Sequence, residues 1–363
     1  MRKKWKMAGV QFDHMHMGDL LRLASEHPDV EIVGVCDDQP GRAEPVVQPF
    51  GIGPDRIWKT PEEMLSTVDA DITVVCSSTG RHAEFVERVA PFGCHVLVEK
   101  PFADSVAGAD RMIAAMQDGG GKLAINWPLA WYPCHQTAHR LVAEGTIGTL
   151  REVHFYDGNR GPLRHLADKV EVDEADAERL KSESWWYQRR HGGGSLQDYL
   201  GYGTTLGTWF LGGRVPVEVS CLVDESPGLE VDEHAVVVAR YESPAGLSKF
   251  ETRWGTFTDP WTHQPQPKCG FVLVGTAGTI ASYDYESTIR VQTMDCPQGR
   301  DLPVDVPAPG MSDPIGHWVA VLEGRLELHG PLRPDLCRSA QRIVDAAAAS
   351  ASRKRVVPLA EFA

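Results

Sequence analysis

A charged pair, Glu99 and Lys100, directly follows the apolar residues 96–98 and is itself followed by Pro101. Proline disfavours regular continuation of the chain, so we expect both charges at the end of a buried strand. The neighbouring carboxylate keeps the lysine charged and oriented, and the amine can then donate a hydrogen bond to a hydroxyl or carbonyl oxygen. As an isolated tripeptide the same residues are also compatible with a surface salt bridge, which contributes little.

The first apolar run, residues 7–10, leads into a turn that could hold a phosphate. Dinucleotide turns carry the pattern G-x-G-x-x-G, which lets the backbone approach a pyrophosphate closely. Here those positions are Gln11, Asp13 and His16, so the pattern is absent and an ordinary polar turn is an alternative. A helix N-terminus still attracts phosphate, although a carboxylate at Asp13 opposes this unless it caps the helix. The turn residues expected to contact a cofactor are Gln11, Phe12, Asp13 and His14.

An acidic residue, Asp37, ends the second apolar run, residues 31–36. A carboxylate about 20 residues after a dinucleotide turn can accept a hydrogen bond from the ribose 2′-hydroxyl. The same charge repels a 2′-phosphate, so Asp37 favours NAD over NADP. A solvated turn carboxylate is the alternative interpretation.

The elements that position these residues alternate between two kinds. Short apolar runs and helix-like stretches with helical spacing of apolar residues follow each other through the first third of the chain. This alternation predicts a parallel sheet covered on both faces, with ligands at the carboxyl ends of its strands. Pro45 and Pro49 indicate that residues 41–50 are irregular or only briefly helical. The predicted strands are residues 7–10, 31–36, 71–76, 95–99 and 122–126, and the predicted helices are residues 19–27, 61–68, 81–91 and 104–117.

The pattern changes after Asn126. A linking helix is predicted over residues 133–144, and strands joined by turn residues then indicate an antiparallel sheet. The predicted fold is α/β: a Rossmann-type parallel-sheet domain over residues 1–125, and an α+β domain with an open, mainly antiparallel sheet over residues 126–363. The second domain's predicted strands are residues 150–157, 216–224, 235–241, 247–254, 270–274 and 288–293, and its helices are residues 196–211 and 334–349.

Composition excludes several classes of function. The chain has 363 residues and a net charge of -14, which argues against nucleic-acid and anionic-membrane partners. Its eight cysteines form no C-x-x-C pair, and we find no secretory or transmembrane segment, so a reducing cytoplasmic location is expected. His14 and His16 lie two apart, which suits a metal on a strand but not on a helix, and no metal is predicted.

Several motifs in one order give this chain a resemblance to a known family. The Glu-Lys-Pro motif follows the run Cys-Ser-Ser-Thr-Gly-Arg-His-Ala at residues 76–83, and Gly-Thr-Ile-Gly at residues 145–148 starts the second half. Together with the later motifs, this order resembles the Gfo/Idh/MocA oxidoreductases, which include glucose–fructose oxidoreductase and inositol dehydrogenase. The resemblance covers nearly the whole chain. The later motifs are the glycine-rich residues 192–198, the hairpin residues 275–279 and the C-terminal residues 356–359.

The resemblance implies the catalytic residues. The family joins the lysine of its Glu-Lys-Pro motif to an aspartate on a glycine-rich helix, with a His or Tyr four residues later. The matching positions are Lys100, Asp198 and Tyr202, and the last two share one helix face. A free tyrosine has a pKa of about 10 and needs a neighbouring cation to act as a base near neutrality. Asp198 could instead only stabilise its helix N-terminus.

The resemblance also implies which residues bind the nicotinamide half of the cofactor. For one of them, His82, a polar residue in the first turn of a helix is the alternative interpretation. These residues are Ser77, Thr79, His82, Glu99 and Lys100. Substrate-binding candidates near the expected cleft are two tryptophans, whose faces suit sugar C–H groups, and two basic residues. A core role for each tryptophan and a solvated loop position for the arginine are alternatives. The candidates are Trp127, Arg160, Trp186 and His191.

The expected function is therefore hydride transfer between NAD and a secondary hydroxyl or ketone of a sugar, inositol or glycoside, in carbohydrate metabolism. A redox-neutral conversion that uses bound NAD transiently is one alternative, and a non-catalytic nucleotide-binding regulator on the same fold is another. The open sheet of the second domain is expected to mediate a homodimer or homotetramer, since an uncovered sheet face exposes apolar area.

Overall fold

The computed structural model describes residues 3–164 and 172–363. Its first sheet has six parallel strands in the order β3-β2-β1-β4-β5-β6. The interior strands are almost wholly buried, as expected for a parallel sheet with covered faces. The strands are β1 (Trp5–Val10), β2 (Val30–Cys36), β3 (Ile57–Trp58), β4 (Ile72–Val75), β5 (His95–Glu99) and β6 (Leu123–Asn126).

Helices connect these strands and cover both faces. Two of them begin with a side-chain cap: the Thr60 hydroxyl accepts from the Glu63 N–H, and the Ser105 hydroxyl accepts from the Gly108 N–H. The prolines of residues 41–50 restrict helix there to one short turn, as the sequence predicts. The helices are α1 (His16–Glu26), α2 (Glu44–Val47), α3 (Pro61–Thr67), α4 (His82–Val89) and α5 (Val106–Gly119).

The second sheet has nine strands in the order β14-β13-β12-β11-β7-β10-β9-β8-β15. All neighbouring pairs are antiparallel except β7 and β10, which run parallel. The predicted fold class is thus confirmed. The strands are β7 (Leu150–Asn159), β8 (Glu218–Val223), β9 (His234–Glu242), β10 (Ala245–Trp254), β11 (Gly270–Gly275), β12 (Gly278–Tyr283), β13 (Thr288–Thr293), β14 (Cys296–Pro303) and β15 (Val357–Pro358).

Helices cover one face of the second sheet. Close backbone approach is possible because α8 presents glycine there: a Cβ on Gly203 would lie 2.3 Å from Phe155. The sequence did not reveal the helices α7 and α9 or the strands β3, β12 and β14, since these short segments show no clear apolar period. The helices are α6 (Pro133–Ala143), α7 (Glu174–Lys181), α8 (Ser195–Phe210), α9 (Pro314–Leu322) and α10 (Pro334–Arg353).

The C-terminal part of the chain returns to the first sheet. Trp318 and Val319 of α9 pack in the same core as Met7 of β1 and Leu20 of α1. This packing places α9, which follows the second sheet in sequence, against the first sheet. A division into residues 1–125 and 126–363 stays a prediction.

Each of the eight cysteines is a free thiol, and seven of them are buried. Within the described residues, no helix combines the length and the apolar character that crossing a membrane requires.

Candidate active site

A cavity of about 620 Å³ lies between the two sheets. Its walls are formed by the ends of β5 and β6, the start of α1, the strand β7 and the helix α8. Aromatic rings form another part of its lining, Trp131, Trp186, Trp254 and Trp261 among them. The polar side chains that line it include His14, His16, Lys100, Asn126, Asp157, Asn159, Asp198, Tyr199, Tyr202 and Asp284.

A buried ion pair joins the two elements at the base of this cavity. Lys100 Nζ donates a hydrogen bond to Asp198 Oδ1 over 2.8 Å, and each side chain is only 3% exposed. Lys100 follows β5, and Asp198 lies in the first turn of α8. The ammonium group also lies 5.6 Å from the ring centre of Tyr199 and 5.3 Å from that of Tyr202. The structure therefore brings together all three residues expected to be catalytic.

Tyr202 sits in a setting that disfavours its phenolate. Burial raises the pKa of Tyr202 well above its ordinary value, and the nearby Glu99 and Asp198 carboxylates raise it further. Trp127 packs edge-on against the Tyr202 ring, with 5.1 Å between ring centres. Trp127 is only 1% exposed, does not line the cavity and packs behind Tyr202, and its predicted contact with substrate stays a prediction.

A second polar network lies beside the ion pair. The fully buried Glu99 accepts hydrogen bonds from His16 Nδ1 (2.7 Å) and from Asn126 Nδ2 (2.8 Å). Burial opposes ionisation of Glu99, but His16 and Lys100 outweigh it and hold the pKa of Glu99 below its usual range. Glu99 is therefore a buried carboxylate whose two hydrogen-bond donors fix its orientation.

His14 lies next to this network. Its ring centre is 4.3 Å from that of His16, and its Nδ1 accepts a hydrogen bond from the His16 backbone N–H. On the other side it contacts Trp185 and Trp186, with ring centres 6.3 and 5.9 Å away. The predicted substrate residue Trp186 does line the cavity, whereas Trp185 donates its indole N–H to the Asp13 carbonyl.

Two carboxyl groups from the second sheet face the same cavity, Asp157 of β7 and Asp284 after β12. Burial raises the pKa of Asp157 well above its ordinary value, and the negative charge of Asp284 adds to the effect. Asp284 accepts a hydrogen bond from His135 Nε2 over 2.7 Å. The cavity thus contains a carboxyl that favours its protonated form.

The crevice between the carboxyl ends of β1 and β4 is where a dinucleotide would lie. Gln11 takes a left-handed conformation with φ of 66°, the kind of backbone position usually given to glycine. Among the described residues, Gln11 Nε2 and Thr79 Oγ1 are buried without a hydrogen-bond partner. Unpartnered buried polar atoms on neighbouring strand ends fit a polar ligand in this crevice. Ser77 and Phe12 are buried beside them. The predicted turn therefore fits a dinucleotide without its glycines.

The predicted ribose ligand is already in an ion pair. Asp37 is 4% exposed, and both its oxygens accept hydrogen bonds from Arg42. Arg42 also binds the Asp13 carboxylate and donates to Gln11 Oε1 over 3.2 Å. Asp13 in addition accepts from the Ser78 N–H over 2.9 Å. A guanidinium thus neutralises two carboxylates at the cofactor turn, and a ribose hydroxyl must share Asp37 with it.

His82 holds two turns together. Its ring nitrogens lie 3.2 Å from the Phe102 carbonyl and 3.1 Å from the Ser77 carbonyl. Burial lowers the pKa of His82, which favours the neutral ring. Both ring nitrogens face backbone carbonyls, which fits a positioning role at these two turns, and direct contact of His82 with the cofactor stays a prediction.

Two further predicted substrate residues lie outside the cavity lining. Arg160 forms an ion pair with Asp259, with Nε and Oδ2 2.9 Å apart. His191 packs by its backbone against Gly80, at the junction between the turn after β4 and the segment before α8. Both residues contact neighbouring protein and neither lines the cavity, and their binding to substrate stays a prediction.

Sequence reasoning missed Arg42, Asn126, Asp157, Tyr199 and Asp284. Asn126 and Asp157 do end or nearly end their strands, which is a usable signal because ligands bind at such edges. Arg42 and Asp284 lie in loops, and nothing in their local sequence indicates which carboxylate or imidazole they meet.

Comparison with known proteins gives this site a family. Residues 3–127 match the family model described as "Oxidoreductase family, NAD-binding Rossmann fold". Residues 135–281 match the model of the Gfo/Idh/MocA C-terminal domain. The two matches follow each other along the chain as the two sheets do.

Individual relatives with known names match shorter parts of the chain than the two family models do together. The chain is 33% identical to D-apiose dehydrogenase of Paraburkholderia graminis over 119 residues, which is 33% of this chain and 31% of that protein. It is 25% identical to myo-inositol 2-dehydrogenase of Thermotoga maritima over 221 residues, 60% of this chain and 59% of that protein. The matched regions thus span about a third to three fifths of these curated relatives.

Solved structures extend the likeness of fold to the whole chain. The aldose-aldose oxidoreductase of Caulobacter crescentus superposes with a TM-score of 0.75 at 21% identity, covering 98% of this chain and 100% of that one. Both halves of the fold are therefore shared with a solved oxidoreductase. Together with the two family matches, this establishes that the chain belongs to the Gfo/Idh/MocA family of oxidoreductases, with an N-terminal NAD-binding Rossmann domain.

Proposed function

We propose that this protein oxidises or reduces a secondary hydroxyl or ketone of a sugar, inositol or glycoside with NAD as the hydride carrier. The observation that carries the proposal is the buried Lys100–Asp198 pair, 2.8 Å between Nζ and Oδ1, at the base of the cavity. A charged pair withdrawn from water costs several kcal/mol in desolvation. Its position in a cavity is what a reaction that moves a proton from a hydroxyl requires.

The two residues have distinct roles in the proposal. The Lys100 ammonium donates a hydrogen bond to the substrate oxygen and stabilises the negative charge that develops on it. The Asp198 carboxylate orients the lysine and accepts the hydroxyl proton. NAD⁺, when bound, supplies the hydride acceptor. Because burial raises the pKa of Tyr202, that residue acts as a neutral hydrogen-bonding group rather than as the base.

Cofactor binding in this proposal uses the crevice at the ends of β1 and β4. Gln11 Nε2 and Thr79 Oγ1 provide unpartnered polar atoms, and Ser77 lies beside them. Arg42 offsets the charge of Asp13 close to where a pyrophosphate would lie. Asp37 shares its oxygens between Arg42 and the ribose, which favours NAD over NADP.

The substrate class follows from the cavity walls. Trp186, Trp254 and Trp261 offer flat apolar faces to the C–H groups of a ring, while Asn159 and Asp157 offer hydrogen-bonding groups to its hydroxyls. Such a mixture of aromatic faces and a few convergent polar groups is typical of small-molecule sites. It suits a polyhydroxylated ring better than an aliphatic alcohol.

The test starts with calorimetric titration of NAD⁺, NADH, NADP⁺ and NADPH into protein freed of carried-over cofactor. NADH formation is then followed with a panel of aldoses, inositols, polyols and glycosides. We expect preferential binding of NAD(H) and NADH formation with at least one member of the panel, lost in Lys100→Met. Absence of nicotinamide binding by the folded, empty protein would refute the proposal and favour a different ligand in the crevice.

A redox-neutral conversion of a glycoside is the second candidate, and Asp157 favours it. Its raised pKa gives the cavity a protonated carboxyl, which can donate a proton to a departing glycosidic oxygen. Release of the aglycone without net NADH formation would distinguish this reaction from a dehydrogenase. Asp157→Asn would then abolish aglycone release, while a simple dehydrogenase would retain NADH formation.

The open face of the second sheet supports a homodimer or homotetramer. Leu222, Val238 and Leu247 share this face and are 76%, 40% and 52% exposed. Covering them with a second copy removes apolar surface from water. Light scattering during size-exclusion chromatography tests this, and a monomeric mass would contradict it.

A further inference from the structure

We propose that His14, His16 and Glu99 form a binding site for a borderline divalent metal ion such as Zn²⁺, open to the active-site cavity. The three side chains each present one ligand atom, and these atoms all lie within 4.8 Å of one another. Two imidazoles and one carboxylate are a donor set that zinc uses where it keeps an open coordination position. Neither the proposed hydride transfer nor its cofactor is needed for this site.

The backbone supplies the convergence. His14 lies in the turn after β1, His16 is the first residue of α1, and Glu99 ends β5. The spacing of two residues would direct the histidines apart on a continuous helix, but here only His16 is helical. The turn therefore lets both rings approach the same carboxylate, with 4.3 Å between their centres.

Neighbouring groups hold the ligands in place as outer partners of metal sites do. Asn126 Nδ2 donates to Glu99 Oε2 over 2.8 Å, which leaves Oε1 directed at His16. Trp185 and Trp186 pack beside the His14 ring. Such outer contacts typically change metal affinity 10- to 100-fold when removed.

The His16 and Glu99 ligand atoms need to move apart by only a fraction of an ångström to bind a metal ion. His16 Nδ1 and Glu99 Oε1 are 2.7 Å apart and joined by a proton in the metal-free chain. Zinc bonds of about 2.0–2.2 Å place two tetrahedral ligands roughly 3.3 Å apart. Coordination through Nδ1 requires the His16 ring proton to be on Nε2, so the ion takes the place of the proton on Nδ1 and that proton moves to the other ring nitrogen.

The side of the site that faces the cavity determines its ligand class. His14 and His16 both line the cavity, as does Lys100. The remaining coordination positions of the ion therefore accept water or an oxygen of a small molecule in that cavity. Because Lys100 pairs with Asp198, it does not neutralise Glu99 through a direct bond, and a divalent ion supplies that charge.

The experiment uses the full chain, stripped of metal by a chelator and titrated with Zn²⁺ and with Co²⁺ in the absence of nicotinamide. We expect one equivalent of each ion to bind, with a Co²⁺ absorption band of low coordination number. His14→Ala and His16→Ala should each weaken Zn²⁺ binding at least tenfold, and Asn126→Ala about tenfold. Circular dichroism and thermal melting check that each variant is folded.

The matched control is His154→Ala, which removes a histidine that pairs with Glu152 over 3.0 Å and has no third potential ligand beside it among the residues that the structure describes. Its Zn²⁺ affinity should equal that of the unchanged protein. Zinc-edge X-ray absorption of the unchanged protein gives a measurement independent of any variant, with imidazole nitrogens expected at about 2.0–2.1 Å. Failure to bind stoichiometric metal, a spectrum without imidazole, or full binding by either His14→Ala or His16→Ala would overturn the site.

Discussion

Lys100 Nζ and Asp198 Oδ1 lie 2.8 Å apart although 98 positions separate the residues in sequence. One follows the last residue of a parallel strand, and the other lies in the first turn of a helix that covers the second sheet. The pair therefore joins two walls of the cavity and also supplies the charged groups proposed to act on the substrate.

Removing either member should affect activity and stability together. For Lys100→Met and Asp198→Asn we expect kcat/KM to fall by about 10²–10⁴, because the hydroxyl proton loses its acceptor or the oxygen its donor. Lys100→Met should also lower the free energy of unfolding by about 3–5 kcal/mol, since a buried carboxylate is left unpaired. Steady-state kinetics and urea denaturation measure the two effects.

The double variant Lys100→Met with Asp198→Leu separates these effects. Replacing a buried pair by apolar residues is often neutral or stabilising, so we expect stability close to that of the unchanged protein and still no activity. An active double variant would show that the pair serves the fold alone.

Arg42 is expected to support NAD binding through charge. In Arg42→Ala the carboxylates of Asp13 and Asp37 lose their common guanidinium partner and repel a pyrophosphate. We expect calorimetry to give a Kd for NAD⁺ about tenfold higher, equivalent to about 1.4 kcal/mol. Arg42→Lys keeps the positive charge but lacks the planar guanidinium, so its Kd for NAD⁺ should lie between those of the unchanged protein and Arg42→Ala. Tighter binding by the alanine variant would mean instead that Arg42 competes with the ribose.

Asp232, which lies against the start of α8, should make the free energy of unfolding depend on pH. Its Oδ2 accepts from the Leu196 N–H, and burial raises its pKa to about 6. The folded chain therefore holds a proton that the unfolded chain has released, and stability is lost as pH rises from about 4 through 6. The loss should reach at most about 1.4 kcal/mol per pH unit. Urea denaturation across this range should show a steeper decline in the unchanged protein than in Asp232→Asn; identical slopes would disprove the assignment.

Gly203 should tolerate no side chain. A Cβ there would lie 2.3 Å from the Phe155 ring, whereas a Cβ on Gly18 of α1 would meet its first neighbour, Val46, at 3.4 Å. We expect Gly203→Ala to destabilise by about 1–3 kcal/mol through overpacking. The matched helical change Gly18→Ala should be neutral or stabilise by up to about 1 kcal/mol. Equal melting temperatures for the two variants would argue against close packing of α8 on β7.

Local sequence was sufficient for five of the six strands of the first sheet. Buried runs such as β4 alternate with helices of clear period, and that alternation leaves few topologies other than a doubly wound parallel sheet. The order of motifs identified the family and placed Lys100 and Asp198, because strand ends and glycine-rich helix starts are local features. Elements of two residues, such as β3, carried no period and were missed.

Tertiary structure decided which polar groups meet. Asp37, His82 and Arg160 were chosen by residue type and position, and each proved to have a protein partner that no local pattern reveals. His14 and His16 lie two apart, a spacing that does not suit one metal on a helix, yet in the turn before α1 their ligand atoms lie within 4.8 Å of each other and of Glu99.

By itself, then, the sequence determined most of the strands and helices and the residues at their ends, since backbone preference and burial period depend on neighbours along the chain. The pairing of Lys100 with Asp198, of Arg42 with two carboxylates and of His16 with Glu99 was decided only in three dimensions. Such pairings depend on distances between elements far apart in sequence, and burial then strengthens each charge interaction by excluding water.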